Sequence, residues 1–176
     1  MLLLLILSII AAALSCNKTL RNTHLLPGDS VPDFIVFLAD GNPVTKESLS
    51  GKPSVIVIFD VFSQKNRDML CEMQRITARW RDNVNVLTVC ENGDPQSGAL
   101  VWNDWGLDMP VAIDGDAKVL RLFNGGNKCN IPQIFCVTSN GKVERYYEED
   151  GKHGYLRIEK EFIIPQIINT SCEENI

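Results

Sequence analysis

Ser54-Val55-Ile56-Val57-Ile58-Phe59 runs into Asp60-Val61-Phe62-Ser63-Gln64-Lys65-Asn66, after which Met69, Leu70, Met73, Ile76 and Trp80 recur at three or four residues. From Val55 the first stretch is continuously apolar and mostly β-branched. A run without alternation predicts a strand covered on both faces. The spacing after it predicts a helix from Asn66 to Arg81 with one apolar stripe, and Asn66 is of the residue type that caps a helix start. A doubly covered strand leading into an amphipathic helix predicts an α/β domain, a sheet with helices on either side.

The flanking sequence extends this pattern in both directions. On the N-terminal side, Asp33 to Leu38 reads as a strand, Asp40-Gly41-Asn42-Pro43 as a turn, and Val44-Thr45 as a short second strand. Lys46 to Leu49 fits one helical turn closed by Gly51. On the C-terminal side, a second buried-type strand is expected over Val84 to Cys90 and a helix over Gln96 to Trp105. A brief extended piece at Pro110 to Ile113 and a short helix from Ala117 to Phe123 follow. Ile131 to Val137 and Val143 to Tyr147 flank Ser139-Asn140-Gly141-Lys142, and Asn-Gly between two β-rich runs is a hairpin signal. Tyr155 to Ile168 reads as a last amphipathic helix that Pro165 must bend or end. The order is β-α-β-α-β-β-α behind an extra N-terminal β-hairpin, a mixed central sheet flanked by helices.

The chain has 176 residues, 45% hydrophobic and 22% charged, with a formal net charge of -5. These values describe one globular domain able to bury a core without staples. No Lys or Arg block points to nucleic acid. Leu2 to Leu14 is apolar apart from Ser8, too short to span a bilayer comfortably but suited to a secretion signal. Ser15-Cys16 followed by Asn17-Lys18-Thr19 resembles a bacterial lipobox, in which the cysteine is acylated and becomes the new N-terminus. Ala13 stands where Leu is commonest, and no basic residue precedes the apolar run. A plain cleaved signal with Cys16 incidental is the alternative. The expected organisation is a signal peptide at 1–15, a lipidated tether at 16–26 and a single domain at 27–176. It implies a bacterial envelope protein attached to the membrane by its lipid and facing the periplasm or cell surface.

Export makes cysteine pairing chemically accessible. Beyond Cys16 the chain has Cys71, Cys90, Cys129, Cys136 and Cys172, without C-x-x-C spacing or a nearby His pair, so no metal is expected. Cys71, beside Leu70 and Met73, is expected to be buried as a small apolar side chain, and Cys90 and Cys136 likewise. His24 in the tether and His153 in a Gly-rich turn are expected to be solvated. Trp80, Trp102 and Trp105 are expected to pack, and Glu148-Glu149-Asp150 to form a solvated acidic turn.

Three segments together resemble the thioredoxin-like redoxins of the TlpA/ResA type, which are related to AhpC/TSA proteins, and in particular lipoproteins of Bacteroides-like bacteria. Pro27-Gly28-Asp29-Ser30-Val31-Pro32-Asp33-Phe34 matches their G-D-x-x-P-D-F, and Asp40-Gly41 with Leu49-Ser50-Gly51-Lys52-Pro53 matches the D-G and L-x-G-K-P that follow. Val55 to Phe59 and the helix after it match the elements flanking the redox motif. Ile131-Pro132-Gln133 to Gly141-Lys142-Val143 matches I-P-x-x-F-x-x-D-x-x-G-K-I. The resemblance covers roughly 27 to 170 and implies a thioredoxin fold. It also implies a cis bond before Pro132 and a groove at Ile131 and Pro132 that receives an extended peptide. Read from its residues alone, Pro132 also fits a trans proline opening a strand.

Members of that family exchange disulfides through a cysteine at a helix N-terminus, where the dipole favours the thiolate, and a second cysteine three residues on resolves the mixed disulfide. Aligned on Phe59-Asp60 and Arg67, this chain has Ser63 and Asn66 at those two places, and no cysteine lies between Cys16 and Cys71. Ordinary dithiol chemistry is therefore not expected at this helix. The peroxiredoxin arrangement is disfavoured too, because Asp60 to Asn66 lacks both Pro-x-x-x-Thr/Ser and its cysteine. Cys129, three residues before Pro132, is the displaced thiol that family geometry would bring near Ser63. Three functions follow as expectations, none requiring a cofactor. The first is a binding or accessory module that holds an extended peptide or an envelope protein partner. The second is an oxidoreductase working through Cys129, and the third is a structural subunit of an envelope complex.

Overall fold

The computed structural model describes residues 24–91, 94, 102–126, 130–148 and 154–173. Strands β1 (Ile35–Leu38), β2 (Pro43–Thr45), β3 (Ser54–Phe59), β4 (Asn85–Cys90), β5 (Val111–Ile113), β6 (Gln133–Val137) and β7 (Val143–Glu148) form one sheet in the order β2-β1-β5-β4-β3-β6-β7. Helix α1 (Gln64–Thr77) follows β3, α2 (Lys118–Phe123) follows β5, and α3 (Ile164–Glu173) closes the chain. β3 is parallel to β4, with Ser54 opposite Asn85 and Phe59 opposite Cys90, and antiparallel to β6.

Every residue of β3 is buried, as its unbroken apolar run requires. Val55, Val57 and Phe59 face Met69, Leu70, Met73 and Ile76 of α1 and Ile158, Phe162 and Ile163 of the C-terminal segment. Ile56 and Ile58 face the opposite layer of Val36, Val119, Phe123 and Phe135. Burying a side chain of this size contributes about 1.5–3 kcal/mol, so two full layers on one strand make β3 the energetic centre of the fold. The brief extended piece is a genuine strand: β5 pairs with β4 in parallel and with β1 in antiparallel fashion, joining the N-terminal hairpin to the sheet.

Several expectations change. Asn66 does not cap the helix. α1 starts at Gln64, with Ser63 at the N-cap, because the Asn66 side chain turns inward and its Nδ2 donates to Asp60 O at 2.8 Å. The last helix is not regular from Tyr155 onward. Gly154–Arg157 is a 3-10 turn, Glu159–Ile163 a π-helical turn, and Pro165 sits in the first turn of α3. Pro165 has no N–H for Glu161 O, and Arg145 Nε donates to that carbonyl instead at 2.9 Å. Of the helix expected over 96–105, residues 102–104 are helical and 95–101 lie outside the described residues.

His24 is not simply solvated; its ring stacks on Tyr146 with centroids 4.5 Å apart. Trp102 is buried and donates to Met109 O at 3.0 Å, and half-buried Trp80 donates to Glu159 Oε1 at 2.8 Å. Cys71 contradicts its expectation. It lies on the exposed side of α1, since at about 100° per residue it falls outside the inward arc of Met69, Leu70, Met73 and Ile76. Cys90 and Cys136 are buried as expected. Native alkylation followed by peptide mass spectrometry is predicted to modify Cys71 fully while leaving Cys90 and Cys136 unmodified until denaturant is added. Fast native labelling of Cys136 would contradict the packing. Among the described residues no helix is long and apolar enough to cross a membrane.

Candidate functional site

At the end of β3 the chain makes a local turn: Phe62 N donates to Asp60 Oδ1 at 2.6 Å, an Asx-type contact. That turn leaves the Phe62 ring 82% exposed. Ser63 follows in an extended conformation, and its carbonyl accepts from Asn66 N at 3.0 Å and Arg67 N at 3.3 Å. Its hydroxyl makes no capping bond. It therefore stands beside the unpaired N–H groups and positive dipole end of a 14-residue helix. Asn66, one turn on, is 1% exposed, and while its Nδ2 is bonded, its Oδ1 is buried without a partner.

β6 brings the second predicted part to the same end of the sheet. Gln133 is opposite Ile58, so Pro132, one residue before it, lies level with Phe59 and the start of the Asp60–Ser63 turn. The Ile131-Pro132 bond is cis, Pro132 is buried and Ile131 half-buried. The structure thus gathers Ser63, Asn66, Ile131 and Pro132 at one edge. Cys129 and Cys16 lie outside the described residues, as do His153 and Glu149-Asp150.

Two features of this edge were missed in the sequence. Behind Pro132, Gln133 and Asn124 are both buried and exchange paired amide bonds, Asn124 Nδ2 to Gln133 Oε1 at 2.8 Å and Gln133 Nε2 to Asn124 Oδ1 at 2.9 Å. Gln133 Nε2 also donates to the Tyr146 hydroxyl at 2.9 Å, which donates in turn to Glu148. Second, Asp60, Glu91 and Asp114 follow the ends of β3, β4 and β5. Asp114 is buried and accepts from the N–H groups of Lys118, Val119 and Leu120, at 2.9, 2.8 and 3.2 Å, which starts α2 after the left-handed Ala117 (φ 52°). Its signal was an Asp preceding a helical run, but the capping residue sits further from the helix than the usual motif.

Burial, with the negative charges of Asp60 and Asp114 beside it, pushes the Glu91 carboxyl above the usual carboxylate range. A raised folded-state pKa means that ionised Glu91 destabilises the fold. The penalty is complete above the folded pKa and vanishes below the unfolded one, where both states are protonated. Glu91→Gln is therefore predicted to raise the denaturation midpoint at neutral pH. The gain disappears on acidification below the ordinary carboxylate range, and a pH-independent gain would contradict the assignment. Among the described residues no group of three His, Cys, Asp or Glu is placed to hold a metal.

The described thiols do not restore what Ser63 and Asn66 lack. Cys71 is further along α1, and Cys90 and Cys136 are in the core, where burial pushes the Cys136 thiol far above the ordinary thiol range. An open cavity of about 500 Å³, lined by residues including Gln74, Thr77, Val84 and Met109, lies at the far end of α1 and involves none of the site residues.

The pattern of the AhpC/TSA family matches residues 27–146, from the N-terminal segment through β7. The chain belongs to the AhpC/TSA family. A Mycobacterium tuberculosis protein assigned by name to the peroxiredoxins is 27% identical over 142 residues, 75% of this chain and 84% of that protein. A Bacteroides thetaiotaomicron protein named as a protein disulfide isomerase has a solution structure that superposes with a TM-score of 0.73. It is 14% identical, over 86% of this chain and 99% of its own. The crystal structure of a Chlorobium tepidum protein named as a thiol:disulfide interchange protein, DsbE, gives 0.67 at 20% identity, over 77% and 96%. This AhpC/TSA member thus has the thioredoxin fold. Ser63, at the N-cap, and Asn66, in the first turn, occupy the positions at which the resemblance places the relatives' cysteines.

Proposed function

We propose that this AhpC/TSA member is a lipid-anchored envelope protein whose ancestral site has lost dithiol exchange and serves as a binding module. Its groove, formed by Ser63, Asn66, Ile131 and Pro132, holds an extended peptide segment of a partner protein. The observation that carries this reading is the pairing of a helix start without sulfur with an outward-facing aromatic. Phe62 is 82% exposed immediately beside Ser63. A single exposed ring is ordinary on a protein surface, but this one stands beside the helix start, and aromatic residues are common anchors of protein interfaces. Among the described residues no histidine is placed to activate a serine hydroxyl there: the one described, His24, is stacked on Tyr146. Lipidation at Cys16, a groove directed at envelope proteins, and a location on the periplasmic or outer face follow from the leader sequence and belong to the same proposal.

The test uses carboxymethylated insulin B chain, an unfolded peptide without free thiols, labelled with fluorescein. Saturable binding is expected, weakened by at least about tenfold in Phe62→Ser, the loss expected for an aromatic hot spot, and unchanged in Cys129→Ser. Binding that is indifferent to Phe62 would contradict the groove and favour a purely structural subunit.

A further inference from the structure

β5 is too short to cover its neighbour. It begins at Val111, opposite Thr88, so the first half of β4 has no strand on that side. Pro110 has no N–H with which to continue the ladder. Met109 O accepts from Trp102 Nε1 at 3.0 Å, and Asp108 N donates to Gln74 Oε1 at 2.7 Å, which draws the chain before Pro110 out of the sheet toward α1. The backbone groups of β4 alternate in direction. Asn85 N donates to Pro53 O and Glu91 N to Phe59 O, both at 2.9 Å, so the odd-numbered residues bond towards β3. Thr88 N donates to Pro110 O at 3.0 Å and Cys90 O accepts from Asp114 N at 2.8 Å, so the even-numbered ones bond towards β5. Val86 therefore points both its N–H and its C=O into the space below β5. Among the described residues neither group has a hydrogen-bond partner.

That space is the cavity of about 500 Å³. Beyond it, Ala39 N donates to Val111 O at 3.0 Å and the turn at 40–42 follows. From Val86 to that turn is two strand spacings, about 9.5 Å, the room of one strand. The lining comes from both sides of the sheet, Gln74, Thr77 and Met109 from the α1 side and Leu38, Val44 and Leu49 from the other. The cavity thus passes through the plane of the sheet. We propose that this slot is a second peptide site, which takes an uncharged extended segment of about three residues as a short strand added beside β4. Residues 84–87 span about 10 Å, which sets that length. The central residue pairs with the N–H and C=O of Val86. Its side chain falls on the α1 side, beside Val84 and Met109, and those of its neighbours on the other, beside Leu38 and Leu49. Apolar side chains suit both walls. At the mouth Arg81 and Asp108 neutralise each other at 3.4 Å, leaving no net charge to hold a charged side chain. The slot is at the opposite end of α1 from Ser63 and does not depend on how that edge is used.

Amide hydrogen exchange of the full-length, nitrogen-15-labelled protein is followed by NMR with and without acetyl-Ala-Leu-Ala-methylamide. In the free protein Val86 should exchange at least about a hundredfold faster than Leu87, whose N–H faces β3. With the peptide at about ten times its dissociation constant, the Val86 amide should slow by about tenfold. Analogues in which each amide is replaced in turn by an ester lose one N–H and little else. At least one of them should bind about tenfold more weakly, because the Val86 C=O then loses its donor. A Val86 amide already protected in the free protein overturns the slot. So does one unmoved by the peptide up to its solubility limit, including when the peptide binds elsewhere on the protein. Protection of Val86 by every ester analogue at undiminished affinity would make the slot an apolar pocket and overturn strand addition.

Discussion

Replacing Ser63 and Asn66 together by cysteine converts the chain into a catalyst that reduces insulin with dithiothreitol at least about a hundredfold faster than the wild-type chain. A helix N-terminus favours the thiolate and lowers a cysteine pKa from about 8.5 into the range of about 3.5–7.5. Ser63 is half-buried with its side chain unused by the helix, so a thiol there meets solvent and substrate. Asn66 is buried one turn further on, suited to a resolving thiol that attacks only the mixed disulfide. Position 66 should accept the change readily. Asn66 Oδ1 is already buried without a partner, and removing such an atom relieves a cost of about 1–3 kcal/mol. That offsets the lost bond from Nδ2 to Asp60 O. The double variant should thus unfold within about 1 kcal/mol of the parent when reduced, since gain and loss are of similar size. The single Ser63→Cys variant should react with alkylating agents as a low-pKa thiol but turn over slowly, lacking a resolving partner. A double variant that folds and stays inactive would mean that the surrounding groove, and not only its sulfur, has been lost.

The second large effect concerns stability. Gln133→Leu removes the amide that satisfies Asn124 from both sides in a fully buried layer between α2 and β6. Asn124 Nδ2 keeps its bond to Leu120 O at 2.9 Å, but its Oδ1 is stranded. The expected loss is about 3 kcal/mol, dominated by desolvated polar atoms left unpaired. For a chain of this size that lowers the melting temperature by about 10 °C. Asn124→Leu with Gln133→Leu should cost less than the sum of the single variants, with a coupling of about 1–3 kcal/mol in a double-mutant cycle. Additive losses would show that the two amides are solvated rather than paired.

These effects sit where the sequence was legible to different degrees. The β3–α1 unit could be read because continuity of apolar residues reports burial on both faces, and β3 has the predicted limits, Ser54 to Phe59. The order of the remaining described elements and the cis bond before Pro132 also agree with expectation, while most of the helix expected over 96–105 lies outside the described residues. Misreadings arose where a residue type has two uses. Asn66 near a helix start looked like a cap, but local hydrogen bonding to Asp60 drew it inside. Cys71 has apolar neighbours in sequence, yet adjacency in the chain does not tell which face of a helix a residue takes. The π-helical turn before α3 had no local sequence signal beyond Pro165, because its compensation comes from Arg145 on another strand. Long-range polar pairing of this kind, like that of Gln133 with Asn124, is set by tertiary contact and is invisible to periodicity.

The proposed binding role requires that no sulfur chemistry survive in the wild-type chain. Turbidimetric insulin reduction by the full-length wild-type protein with dithiothreitol, beside the Cys129→Ser variant, measures this directly. Both should proceed at the rate of dithiothreitol alone. A wild-type rate clearly above that background and abolished in Cys129→Ser would contradict it and make the protein an active oxidoreductase with a displaced thiol.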